Sequence, residues 1–231
     1  FILLAYLPLS AVGIYQLGYQ IGTGLQVINL AMNSAWMPFF YKHLEDHTQT
    51  RTIQKTTTLL LVAQTLVCFI LSLFAPELVS LIAPKGYANA HLVIPWVAFG
   101  FLAISLYLNW ANILYQQKRT GAIAFASLLS IALNVILNLV FVPKYGMLAT
   151  AIATTASYSV LAFITFLLSR RIIAFNYDYQ RWTLTIGLAM LLYFASLLVP
   201  PYSMLSNFAI KSGIVLLWVT LLLALNVFGQ R

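Results

Sequence analysis

Residues 118–146 read KRTGAIAFASLLSIALNVILNLVFVPKYG, and no charge interrupts the run between Arg119 and Lys144. At about 1.5 Å of helical rise per residue the run reaches roughly 36 Å, enough to cross a hydrocarbon layer about 30 Å thick. The rest of the chain repeats this pattern. Of its 231 residues, 62% are hydrophobic and only 7% charged, with a mean hydropathy of +0.92. Soluble domains run near about 45–50% apolar and about 25% charged. No aqueous fold hides that much apolar surface, which excludes a soluble globular protein.

Taking charges, prolines and glycines as breaks predicts an all-α, polytopic transmembrane helix bundle. Seven full spans fall near 12–34, 56–74, 92–115, 121–142, 147–169, 182–199 and 206–228, after the tail of an eighth at 1–7. The chain starts at Phe1 inside an apolar run that stops at Pro8. A signal peptide has a basic start and a small-residue cleavage site instead, so the expectation is a helix cut short at its N-terminal side. Within the spans the only formal charge is Lys211, placed where a long stem snorkels to the interface. Cys68, the single cysteine, lies mid-span and reads as a small buried apolar residue, with no disulfide framework or cysteine-based metal site.

The loops orient the spans, because cytoplasmic loops carry the excess of Lys and Arg. One alternate set of loops and ends holds Lys42, Arg51, Lys55, Lys118, Arg119, Arg170, Arg171, Arg181 and Arg231, and the other holds Lys85 and Lys144 with Lys211 at its edge. The first set and the C-terminus are therefore expected in the cytoplasm of a bacterial inner-membrane protein. The formal net charge of +8 is then a topology signal and not a nucleic-acid footprint. On the outer side, Pro76-Glu77-Leu78-Val79-Ser80-Leu81-Ile82 is expected to form two helical turns lying in the interface.

Polar side chains in hydrocarbon should face a partner helix or a watery cavity. At about 100° per residue, Gln16, Tyr19, Gln20, Thr23, Gln26 and Asn33 fall within an arc of roughly 140°. One reading is a hydrated cavity wall, with amides for sugar hydroxyls and Tyr19 to stack on a pyranose ring. The other is interhelical hydrogen bonding, helped by the small-xxx-small pair Gly18 and Gly22. Ser127, Ser130, Asn134 and Asn138 share a second face. With the small residues Ala149, Thr150, Ala151, Ala153, Thr154, Thr155, Ala156 and Ser157 of the next span, they read as close packing. Asn109, Asn112 and Gln116 approach the mouth at Lys118 and Arg119, or form an ordinary solvated helix end.

His43 and His47 stand at i and i+4, but Glu does not follow the first His as a zincin pair requires, so the expectation is a solvated helix end and no metal. No paired carboxylates, serine triad or phosphate-cradling glycine loop occurs, so no enzyme activity and no cofactor are expected.

Four stretches then resemble the O-antigen and related polysaccharide flippases of the multidrug/oligosaccharidyl-lipid/polysaccharide exporter superfamily. Ala11-Val12-Gly13-Ile14-Tyr15 and Asn33-Ser34-Ala35-Trp36-Met37-Pro38-Phe39-Phe40-Tyr41-Lys42 are similar to the two ends of that family's eighth helix. Pro76-Glu77-Leu78-Val79, Gly86-Tyr87-Ala88-Asn89-Ala90 and Ile94-Pro95 resemble its loop between helices nine and ten. Lys118-Arg119-Thr120, Asn134-Val135-Ile136-Leu137-Asn138 and Val142-Pro143-Lys144-Tyr145-Gly146 resemble helix eleven and the turn beyond. Ala149-Thr150-Ala151-Ile152-Ala153-Thr154-Thr155 with Ser157-Tyr158 is similar to helix twelve.

The resemblance implies that residues 1–170 form the C-terminal lobe of a two-lobe transporter, and that 171–231 add two C-terminal helices. It implies translocation of undecaprenyl-diphosphate-linked oligosaccharides for surface polysaccharide synthesis. It also implies partners in membrane lipids and in the polysaccharide polymerase and chain-length machinery. In that setting Gln16, Tyr19, Gln20, Thr23, Gln26 and Asn33 would line the substrate cavity, and Lys55, Lys118 and Arg119 a cytoplasmic mouth for the pyrophosphate. A cation-coupled drug or metabolite exporter of the same superfamily is the alternative and would need a midplane carboxylate. A membrane polysaccharide polymerase or ligase fits less well, because the 76–91 loop is short and sparsely charged.

Overall fold

Ten α-helices and two short 3-10 turns make up the described residues, which in this computed structural model are 2–44, 47–173, 175, 177–199 and 204–227. The helices are α1 (Ile2–Tyr6), α2 (Leu9–Gly22), α3 (Gly24–His43), α4 (Thr50–Leu73), α5 (Ala75–Ile82), α6 (Ile94–Gln116), α7 (Thr120–Tyr145), α8 (Met147–Arg170), α9 (Tyr179–Ser196) and α10 (Met204–Ala224). No strand occurs among these residues. Phe1, Glu45, Asp46 and Arg231, along with the side chain of His47, lie outside the described part.

Five helices, α4, α6, α7, α8 and α10, are long and apolar enough to cross a membrane. They coincide with five of the seven expected spans. The expected span at 12–34 is divided at Thr23, where α2 ends and α3 begins. Thr23 keeps right-handed helical angles (φ −66°, ψ −11°), and its hydroxyl bonds back to the Gln20 carbonyl at 2.6 Å. That back-bond competes with the helix ladder, which is interrupted there. The expected span at 182–199 corresponds to α9, which starts at Tyr179 and carries Arg181 in its first turn.

The central helix is α6. Its most apolar stretch is 78% buried, against 22% for α7, whose Leu128, Ile131 and Ile136 face outward. In lipid no hydrophobic force drives helices together, so small residues and interhelical hydrogen bonds decide which faces meet. A Cβ at Gly18 would lie 2.6 Å from the Ala90 carbonyl oxygen, and one at Gly22 would lie 2.6 Å from Val97 Cγ1. The expected small-xxx-small face is therefore where α2 meets the 3-10 turn Lys85–Leu92 and the start of α6. One turn further along α6, Gly100 admits the backbone of Thr155 on α8, whose hydroxyl donates to the Trp96 carbonyl at 2.5 Å. Gly146 turns α7 into α8 with φ 66° and ψ −147°, a region open only to glycine.

The last two helices pack on α4. Trp182 Nε1 donates to the Thr58 hydroxyl at 3.1 Å, and Trp218 Nε1 to the Thr185 carbonyl at 3.3 Å. Phe175, Tyr177 and Trp182 share one core with Phe40, Leu61 and Trp110. Tyr177 donates its hydroxyl to the Asn109 carbonyl at 3.1 Å, and burial pushes that phenol well above its usual pKa, so it stays a donor.

The expected interfacial turns form α5, with Leu81 and Ile82 exposed on it. Lys211 does not snorkel alone, because its ammonium is paired with Glu77 of α5 at 2.6 Å. Contacts sort the helix ends into two groups. Gln116 reaches Tyr41, Phe166 meets Tyr179, and Arg181 reaches Val227 at one end; Lys211 reaches Glu77 and Tyr87 covers Gly13 at the other.

Candidate functional site

The notable cavity, about 470 Å³, opens between α2, α7 and α8, with Leu3 of α1 at its rim. From α2 it takes Tyr15, Gln16 and Tyr19; from α7, Ser130, Ile131, Asn134 and Asn138; from α8, Thr150, Thr154, Ser157 and Tyr158. The sequence stripes on the second and seventh helices therefore meet across one space. Among the described residues no lining side chain is a carboxylate or an amine.

Two features give the lining a chemical character. The first is aromatic. Tyr15 and Tyr19 have ring centroids 5.8 Å apart, Tyr19 stands 6.2 Å edge-on to Phe101, and Phe101 lies 5.8 Å from Tyr158. Phe101 thus meets two phenols, Tyr19 and Tyr158, and Tyr19 meets the third, Tyr15; each has an apolar face and a polar tip.

The second is unmet hydrogen-bonding capacity. Asn138 is 4% exposed and Thr150 8%, and neither Asn138 Oδ1 nor Thr150 Oγ1 has a partner among the described residues. The Asn138 amide nitrogen already donates to Asn134, to its carbonyl at 2.8 Å and to its Oδ1 at 3.1 Å. Each buried polar atom left unpaired costs about 1–3 kcal/mol. Both atoms are closed to a water-sized molecule, on facing helices, so a ligand rich in hydroxyls would satisfy them once a side-chain rotation turns either oxygen towards the cavity. Ser130 is different: its hydroxyl donates to the Ser157 carbonyl at 2.7 Å and ties α7 to α8 at the cavity's edge.

The six expected cavity residues divide. Gln16 and Tyr19 line the cavity, and Gln20 is exposed on the same helix. Thr23 sits at the break between α2 and α3. Gln26 is half-buried with Oε1 unpaired, and Asn33 accepts from Asn112 of α6 at 2.8 Å, which is a packing bond. Asn29, outside the expected stripe, makes a similar tie: it donates to the Phe101 carbonyl at 2.8 Å and accepts from Ser105 at 3.0 Å. Asn109 and Gln116 likewise bond to backbone carbonyls.

The three expected mouth residues are not brought together in one pocket. Lys118 and Arg119 are exposed in the turn between α6 and α7, whereas Lys55 lines a separate cavity with residues of α9 and of the turn after α10. His43 bonds its Nδ1 to the Phe39 carbonyl at 2.9 Å, and among the described residues no three metal-ligating side chains cluster.

Tyr15, Thr150, Thr154, Ser157 and Tyr158 were missed as cavity residues. The signal was present: Thr150, Thr154 and Ser157 recur at helical spacing, but so many small neighbours surround them that the face reads as packing. No family model matches the chain, and no curated protein matches it.

Proposed function

We propose that the chain is one lobe of a flippase that carries lipid-linked oligosaccharides across a bacterial cytoplasmic membrane. The carrying observation is the uncharged cavity between α2, α7 and α8, with its tyrosine wall and the unpaired Asn138 and Thr150 atoms. Hydroxyl-rich glycans need many neutral donors and acceptors and an aromatic face, and this lining offers both.

In this reading α2 and α3 make one interrupted crossing and α9 another, giving seven spans. Residues 1–170 then form the transporter lobe, with 171–231 as two peripheral helices. Among the described residues, eight basic side chains lie towards one end of the bundle and three towards the other. That bias argues for a cytoplasmic placement of the richer end and of the C-terminus. The four sequence stretches similar to polysaccharide flippases support the choice of cargo. A cation-coupled exporter would use a carboxylate where the cargo binds, and among the described residues the cavity lining has none.

Deletion of the full-length gene tests the proposal. Lipid-linked repeat units are expected to accumulate on the cytoplasmic leaflet, with surface polysaccharide restored by the wild-type gene. Normal surface polysaccharide in a strain without a second flippase would refute it.

A further inference from the structure

A second cavity, of about 210 Å³, lies where α4 begins, α9 begins and α10 ends. Its charged lining comes from Arg51 and Lys55 of α4 with Asp178 and Arg181 at the head of α9, and its apolar part from Leu184 and Leu225. The volume is far above the roughly 10–15 Å³ that one water occupies.

The four charged groups play different parts. Asp178 Oδ2 sits 2.9 Å from Arg181 Nε, while its Oδ1 accepts the Arg181 backbone N–H at 3.2 Å and caps α9. Arg181 Nη1 also donates to the Val227 carbonyl at 3.1 Å, which fastens the end of α10. Asp178 and Arg181 therefore build the frame and offset each other. Arg51 and Lys55, both exposed, add two further positive charges to the described lining.

We infer that this cavity binds the phosphate of an anionic membrane lipid. Lys55 supplies a point charge and Arg51 a planar fork suited to phosphate oxygens. The leucines offer an apolar path for the start of the lipid chain. The cavity lies at the ends of membrane-length helices, the depth at which headgroups sit, and basic pockets between such helices recognise them. The inference is independent of the glycan cavity, which has no residue in common with this one.

The test uses the full chain in neutral detergent, with lipid adducts counted by native mass spectrometry. Phosphatidylglycerol is expected to bind and phosphatidylcholine not. Lys55→Gln should weaken binding about fivefold and R51Q/K55Q about thirtyfold, whereas R51K/K55R should keep it. Competition separates the sources. Displacement by a polyprenyl diphosphate assigns the phosphate to a lipid carrier, and indifference to it assigns a bulk phospholipid; displacement by inorganic phosphate alone at equal concentration would overturn the lipid assignment. Equal phosphatidylglycerol adducts on the wild type and R51Q/K55Q would also overturn the proposal. If the double variant aggregates, unchanged binding by K55Q has the same force.

Discussion

Lys211 Nζ lies 2.6 Å from one carboxylate oxygen of Glu77 and 2.7 Å from the other, joining α10 to α5 across 134 positions of sequence. Each side chain keeps 19% of its surface exposed. Removing one partner strands the other charge in a poorly solvated place, which costs about 3–5 kcal/mol when burial is complete. With this partial exposure Glu77→Gln and Lys211→Met should each lower stability by about 2 kcal/mol. The double variant E77Q/K211M should lose less than the sum. Thermal melting in detergent reads all three, and additive losses would show that the two groups do not act as a pair.

The glycine face makes a sharper contrast. Ala at Gly18 or Gly22 would push a methyl to 2.6 Å from the Ala90 carbonyl oxygen or Val97 Cγ1. Backbone at Ala90 cannot swing aside as a side chain does. Gly18→Ala and Gly22→Ala should each destabilise by about 1–3 kcal/mol, whereas Gly24→Ala, with nothing within 4 Å, should be neutral or mildly stabilising. Equal melting temperatures for all three variants would contradict the close approach of α2 to the 3-10 turn and α6.

These two sites also mark what was legible in the sequence. Uncharged runs locate α4, α6, α7, α8 and α10, because each is bounded by charges or turn residues. Gly18 and Gly22 announce a contact face by their spacing alone. The composition of the cavity was half legible: Gln16 and Asn134 stand out as polar in an apolar run. Which helices share the cavity was not, because the rotation of α2 against α7 and α8 is set by the Gly18 and Gly22 contacts with the 3-10 turn and α6. The helix break at Thr23 was hidden too, since a side chain bonding to its own helix leaves no pattern. A straight wheel therefore grouped Asn33, a packing residue, with Gln16, a cavity residue.

The cavity and packing readings separate at Thr150. Its hydroxyl has no partner among the described residues, so Thr150→Val keeps the shape and removes an unmet group. Stability should hold or rise by about 1 kcal/mol, while lipid-linked oligosaccharide export should fall severalfold. Asn33→Leu should do the reverse, losing about 1 kcal/mol with its bond to Asn112 and affecting export only through folding. Export by Thr150→Val at the wild-type level would remove that hydroxyl from the substrate path.

Lys118 sets the last test, because one residue serves two readings. It ends α6 with φ 55°; the Arg119 N–H reaches the Leu114 carbonyl at 2.8 Å and its own N–H reaches the Tyr115 carbonyl at 3.0 Å. This pair of bonds is the Schellman closure, in which glycine is favoured at the left-handed position. A side chain there costs about 1 kcal/mol, so Lys118→Gly should leave folding intact or improve it slightly even though it removes a charge. Lys118→Val should melt lower, since a β-branched residue tolerates that angle poorly. Lys118→Gly thus reads the charge without disturbing the turn. Wild-type export by a stable Lys118→Gly protein would make Lys118 a helix terminator only, and a severalfold loss of export would assign its ammonium to the path of the pyrophosphate.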